Sequence, residues 1–307
     1  MISGVKVVKA NHLSGGWLAA WISLISNFIL TVIKIVFGTL FHSTALLADG
    51  VHNGGDVIAS VVTLSSMKVA NQPADEDHPY GHGKAEDIAS GIISIILFIA
   101  GLYLIYEAIA ALLNPEFKTN IWAFSAAFVS LVWKTILYYY TMKVGKALNS
   151  KGLIATAYDH LADIWASLAA VAGIGIGWLG DQLSIPYAIY GDPVGGLIVS
   201  LLILKVAWEM GVQAFNVLME SNVSMEKSEE YRNIILSFPE VKRIDQLRAR
   251  EHGNYILIDV RLSVPGELTI QEGHDITRKI RDTIKEKDKQ VEEVLIHLNP
   301  WYEDDGR

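Results

Sequence analysis

No cysteine occurs anywhere in the 307 residues. Disulfides, thiolate nucleophiles, iron–sulfur clusters and sulfur-built zinc sites are excluded with it. A metal held by this chain must bind His, Asp, Glu or Asn. Charge is scarce too. Only 19% of the residues are charged against 51% hydrophobic, and mean hydropathy is +0.32. Such a chain is too apolar for an ordinary soluble protein, and disorder is excluded. No nucleic-acid partner is expected; the net charge of −8 looks like an argument for that, but an average over the chain hides where the charges sit.

The charge is unevenly placed. Residues 220–307 hold 14 of the 25 Lys+Arg and 19 of the 33 Asp+Glu. The division implies a membrane domain at 1–219 and a small water-facing domain at 220–307. Crossing about 30 Å of hydrocarbon takes about 20 apolar residues. Six runs qualify, roughly 15–40, 44–69, 86–113, 120–143, 153–180 and 187–213. The first is too long for a cleaved signal peptide. Gly38, Asn114-Pro115, Gly180-Asp181 and Pro186 punctuate the connections. Lys6, Lys9, Lys68, Lys84, Lys143, Lys146 and Lys151 fall at the amino terminus or on one set of loops, against Lys118 on the other. That bias puts both termini in the cytoplasm of a multi-pass cell-membrane protein, with the acidic loop around Asp181 and Asp192 outside.

An ionisable residue inside a span costs about 2.5 kcal/mol or more unless paired or hydrated. The second run carries Asp49, His52 and Asp56, and the fifth carries Asp159, His160 and Asp163. His52 and Asp56 stand four apart on one helix face, and so do Asp159 and Asp163. Two such helices can close a four-ligand shell of one imidazole and three carboxylates around a divalent metal. Without a cation, two acids one turn apart repel. Asp49 could equally be a helix–helix hydrogen-bonding group. His160 faces elsewhere, so it reads as a packing residue or, with Asp49 and Asn53, as support behind the ligands. Lys34, Lys134 and Glu107 also fall in spans; Lys205 and Glu209 are four apart and expected to pair.

Between the second and third runs, Asp75-Glu76-Asp77-His78-Pro79-Tyr80-Gly81-His82-Gly83-Lys84 concentrates ligand atoms on a constrained turn. It is not a phosphate loop: His78 and Ala85 stand where that motif needs Gly and Ser/Thr. Beyond Glu220 the pattern predicts a helix at 226–238, strands at 241–251 and 254–264 around a His252-Gly253-Asn254 turn, a helix at about 270–288 and a strand at 291–298. This α-β-β-α-β order suggests an α+β, ferredoxin-like domain, its helices on one face of an antiparallel sheet. Asp245, Asp259, His274 and His297 are candidate ligands there, while His252 reads as a surface residue. No His-Glu-x-x-His, serine elbow or nucleophile–base pair points to an enzyme.

Leu47-Ala48-Asp49-Gly50-Val51-His52-Asn53-Gly54-Gly55-Asp56, His78-Pro79-Tyr80-Gly81-His82-Gly83-Lys84-Ala85-Glu86, and Asn149-Ser150-Lys151-Gly152 leading to Ala157-Tyr158-Asp159-His160-Leu161-Ala162-Asp163 together resemble the cation diffusion facilitator family over nearly the whole chain. The resemblance implies a homodimeric exporter of divalent transition metals in exchange for protons. It implies a transport site at His52, Asp56, Asp159 and Asp163 and a loop site at Asp75, His78 and His82. Asp245, Asp259, His274 and His297 stand where many members hold regulatory metal, although Asn299 occupies a position often filled by Asp. Lys84 and Glu220 match an ion pair that joins the dimer at the membrane surface. Zinc exporters of the family usually carry His at the position of Asp159, and manganese carriers Asp. The substrate expectation is therefore Mn2+ or Fe2+, with Zn2+, Co2+ and Cd2+ beside them. A membrane-anchored metal sensor or scaffold is the rival reading.

Overall fold

The computed structural model describes residues 3–114, 120–148 and 150–302. Pro115, Lys118 and Asn149 lie outside them, and the side chains of Lys6, Lys9 and Lys151 are likewise outside what is described. The six predicted runs are six long helices: α1 (Ser3–Leu40), α2 (Thr44–Ala70), α3 (Ala85–Leu113), α4 (Ile121–Ala147), α5 (Lys151–Gln182) and α6 (Gly191–Leu218). Asn120 and Ser150 start α4 and α5 by accepting the backbone N–H of Trp122 and Leu153, as polar N-caps do. Neither Gly38 nor Gly180 stops its helix. Each lets a neighbouring element come close instead: a Cβ on Gly38 would lie 2.7 Å from the backbone nitrogen of Leu47. Residues 187–190, expected in the sixth run, form with Pro186 a 3-10 turn ahead of α6.

Among the described residues, five stretches in these helices are long and apolar enough to cross a membrane, and none of them lies in α2, which carries Asp49, His52, Asn53 and Asp56. Large apolar side chains such as Ile95, Ile99, Trp122 and Trp165 are exposed on the outside, as a lipid-facing surface requires. Inside, small residues allow close packing. Gly173 on α5 meets Gly191 and Gly195 on α6, where a Cβ would lie 2.6 Å from the carbonyl oxygen of Gly191. Ala45, Leu46, Ala127, Ala170, Ile174, Val199 and Ile203 fill the centre.

The carboxylate of Asp192 is buried rather than displayed on an outer loop. It accepts from Ser43 Oγ (2.6 Å) and from the backbone N–H groups of Thr44 (2.8 Å) and Ala45 (3.3 Å). An anion on the unpaired amides of α2's first turn complements the helix dipole, and it fixes the start of the helix that carries His52.

The chain divides into two compact units. One takes the residues up to Val62 and Ile92–Met210; the other takes Thr63–Gly91 and everything from Gly211. In the second unit, α7 (Met225–Leu236), β1 (Arg243–His252), β2 (Tyr255–Pro265), α8 (Ile270–Lys287) and β3 (Val291–Trp301) follow the expected order. The sheet runs β1-β2-β3. It is mixed, not antiparallel: β1 and β2 form an antiparallel hairpin, whereas β2 and β3 are parallel. The 18-residue α8 crosses between them, the connection a parallel pair needs. Tyr231, Ile234 and Ile235 of α7 and Ile276, Ile280 and Ile284 of α8 cover one sheet face.

Candidate metal centre

Three of the four predicted transport ligands come together. Ligand atoms of His52, Asp56 and Asp163 lie within 4.8 Å of one another, a group able to hold a metal ion. His52 Nε2 stands 3.3 Å from Asp163 Oδ1, and both side chains are almost buried. Asp56 Oδ2 is buried without a hydrogen-bond partner, an arrangement costing several kcal/mol unless a proton or cation arrives. Asp159 is exposed, one turn away on α5, and is outside this group.

The groups around the three are largely ones that sequence reasoning passed over. The ammonium of Lys134, from α4, contacts Asp163 Oδ2 and donates to Asn27 Oδ1 at 2.9 Å. His160 Nε2 is 2.7 Å from Ser23 Oγ, and its Nδ1 lies 3.8 Å from Asp163 Oδ2. One turn deeper, Lys34 Nζ meets Asp49 Oδ2 at 2.7 Å with both side chains fully buried. Ser167 Oγ bridges them, accepting from Lys34 at 3.1 Å and donating to Asp49 at 3.0 Å. Asp49 is thereby committed to an ion pair. Asn53 is buried with both amide atoms unpartnered. A signal for Lys34 and Lys134 was available: a lysine inside an apolar run must find an anion. Lys205 and Glu209, by contrast, form only the expected exposed pair, 3.8 Å apart.

The loop residues also cluster, with ligand atoms of Asp75, His78 and His82 within 4.8 Å. Asp75 Oδ1 accepts from the backbone N–H of His78 at 2.6 Å. That bond, with the two imidazoles nearby, holds the carboxyl below the usual range. The loop is seated on the β1–β2 turn, where Tyr255 Oη donates to the carbonyl oxygen of Tyr80. His252 is buried against Tyr255, their rings 5.1 Å apart, rather than on the surface. Lys84 Nζ lies 3.2 Å from Glu220 Oε1 within one chain, and Arg250 stands 3.7 Å from the other oxygen.

The four candidates in the C-terminal domain are not brought together among the described residues. The carboxylate of Asp245 accepts from Asn299 Nδ2 (2.8 Å), Ser263 Oγ (2.8 Å) and Arg243 Nε (2.6 Å). Asn299 foremost keeps its pKa low. Asp259 pairs with Arg250 at 3.0 Å, while His274 and His297 are exposed.

A multi-helix membrane unit with a buried cluster of metal-binding side chains, followed by a small α+β domain, defines a membrane protein of the transporter class. Residues 20–219 match the model for the cation efflux transmembrane domain, and 223–301 that for the cation efflux protein cytoplasmic domain. The chain belongs to the cation diffusion facilitator family. It is 47% identical to the manganese efflux system protein MneP of Bacillus subtilis (strain 168) over 285 residues, 93% of this chain and 96% of that one. It is 32% identical to MneS, a manganese efflux system protein of the same organism, over 95% of this chain and 98% of the relative. The magnetosome protein MamB of Paramagnetospirillum magneticum (strain ATCC 700264 / AMB-1) is 30% identical over 91% and 93% respectively.

Proposed function

We propose that this protein exports a divalent transition metal, Mn2+ foremost, from the cytoplasm through His52, Asp56, Asp163 and Asp159. The observation that carries the reading is the buried, unpartnered Asp56 Oδ2 beside His52 Nε2 and Asp163. An unsatisfied anionic oxygen among ionisable neighbours is a seat for a cation. One imidazole among carboxylates is a hard donor set and favours Mn2+ or Fe2+ over Zn2+, Co2+ or Cd2+. The two Bacillus relatives, both named manganese efflux system proteins, point the same way.

On this reading all six long helices span the bilayer, α2 included, its polar residues being the site itself. Both termini lie in the cytoplasm of a cell-membrane homodimer. Residues 1–219 transport, and the ferredoxin-like 220–307 senses metal and joins the protomers. Exposure falls from Asp159 through Asp163 to the fully buried Asp49–Lys34 pair, the profile of a site open toward the Asp159 end. With that end cytoplasmic, the ion enters past Asp159 and sheds water at the three gathered ligands. It leaves when the helices rock. Protons from outside compete for the same imidazole and carboxylates, since ligation needs them deprotonated, and the cycle is antiport.

The test is Mn2+ uptake into inverted vesicles. Asp163→Ala is expected to lower uptake to background while the protein stays dimeric in detergent. Unchanged uptake would overturn the site and leave metal sensing at Asp75, His78 and His82 as the remaining reading.

A further inference from the structure

Among the described residues of the helical unit, Lys34 and Lys134 lie fully buried, and of these two Lys134 touches the proposed site. Lys34 belongs to the closed pair with Asp49. Lys134 is different, because one of the two groups that hold its ammonium is a carboxylate of the site itself. Asp163 Oδ2 takes one N–H, and Asn27 Oδ1, a neutral oxygen on α1, takes another at 2.9 Å. Asp163 is the same carboxylate whose other oxygen faces His52 Nε2. A divalent ion on His52, Asp56 and Asp163 would meet the ammonium across one carboxylate group, and two cations that close in a poorly solvated interior repel strongly.

We propose that Lys134 is a tethered counter-ion of the transport site. It neutralises Asp163 when the divalent ion is away and gives up that contact when the ion binds, remaining on Asn27. It therefore competes with the metal. It is a positioning residue that keeps binding loose enough for release. The inference rests on the transport-site reading. It stands on the contacts of Lys134 with Asp163 and Asn27.

The experiment uses the full-length protein in detergent, with His78 and His82 changed to Ala so that the loop cluster adds no signal. Mn2+ is the probe, and free Mn2+ is read by electron paramagnetic resonance. Lys134→Gln is expected to tighten Mn2+ binding tenfold or more. In proteoliposomes it is expected to lower both the apparent KM and the maximal rate, since an ion held harder leaves more slowly. Lys134→Arg keeps the charge and is expected to stay near the parent in all three quantities. Lys134→Gln binding no tighter than the parent, or Lys134→Arg shifting with it, overturns the proposal.

Should Lys134→Gln fail to fold, the double variant decides. Asp163→Asn alone leaves an unpaired ammonium at the site and is expected to abolish binding, whereas Asp163→Asn with Lys134→Gln is expected to recover part of it through His52 and Asp56. A double variant no better than the single overturns the proposal. If Asp163→Asn by itself binds like the parent, the transport-site reading has failed instead.

Discussion

At the scale of single residues, the membrane unit is organised around where its buried charges end. Asp49 and Lys34 are both fully buried and paired at 2.7 Å. Removing one member leaves the other without compensation, an effect of about 3–5 kcal/mol, while replacing both by apolar residues of similar size can be close to neutral. Asp49→Leu is therefore expected to lower the thermal midpoint in detergent sharply, and Asp49→Leu with Lys34→Met to recover most of the loss. A double variant as unstable as the single would show that Asp49 serves something other than Lys34. Asp159 poses a question of chemistry rather than stability, because it is exposed and apart from the three gathered ligands. If it completes the shell when the ion is bound, Asp159→His softens the donor set and is expected to shift vesicle transport from Mn2+ toward Zn2+. An unmoved Mn2+ to Zn2+ ratio would place Asp159 outside the shell throughout the cycle.

The elements show why some of this was legible in advance and some was not. Ile256, Ile258, Val260 and Leu262 alternate, and they form the buried face of β2. His52 and Asp56 sit one turn apart, and so did their ligand face. Periodicity reports which residues share a face; it says nothing about which face meets which. Hence the sequence signals that Lys134 and Lys34 need an anion, but not that the anions are Asp163 on α5 and Asp49 on α2. The sheet's mixed character escaped for a related reason: alternation is the same in a parallel and an antiparallel strand, and only the crossover through α8 distinguishes them. His252 was misplaced because a turn residue looks exposed until something packs on the turn. What packs there is the 78–83 loop, and the fit depends on glycine. Gly253 holds φ +68 at the first position of a two-residue hairpin turn, and a Cβ on it would lie 2.1 Å from the carbonyl oxygen of Gly83. Gly253→Ala combines the left-handed penalty of about 1–2 kcal/mol per non-glycine residue with that overlap. It is expected to free the loop, seen as faster proteolysis between Asn71 and Lys84. Protection equal to the parent would mean that the turn and loop can shift apart without loss.

Across the whole molecule, the joint between the 78–83 loop and the β1–β2 hairpin makes stability depend on pH in two separate windows. Glu220 is held below the ordinary glutamate value, first by the ammonium of Lys84 and then by Arg250. A depressed carboxylate contributes stability above its unfolded value of about 4.3 and loses it only as pH falls from there. Near neutrality Glu220 is silent. His252 is depressed too, first by burial and then by the nearby charge of Lys84. Its folded value lies below about 6.5, so on acidification the unfolded chain takes up the proton before the folded one does. The stabilisation is fully present above about 6.5 and is lost as pH falls through the folded value. Between pH 7.5 and 5.5, the thermal midpoint of the full-length protein in detergent is expected to drop, and His252→Gln, which cannot charge, is expected to drop less. Equal drops would assign the acid sensitivity to other histidines. A drop beginning only below about pH 4.5 would move it to Glu220 and the Lys84 pair.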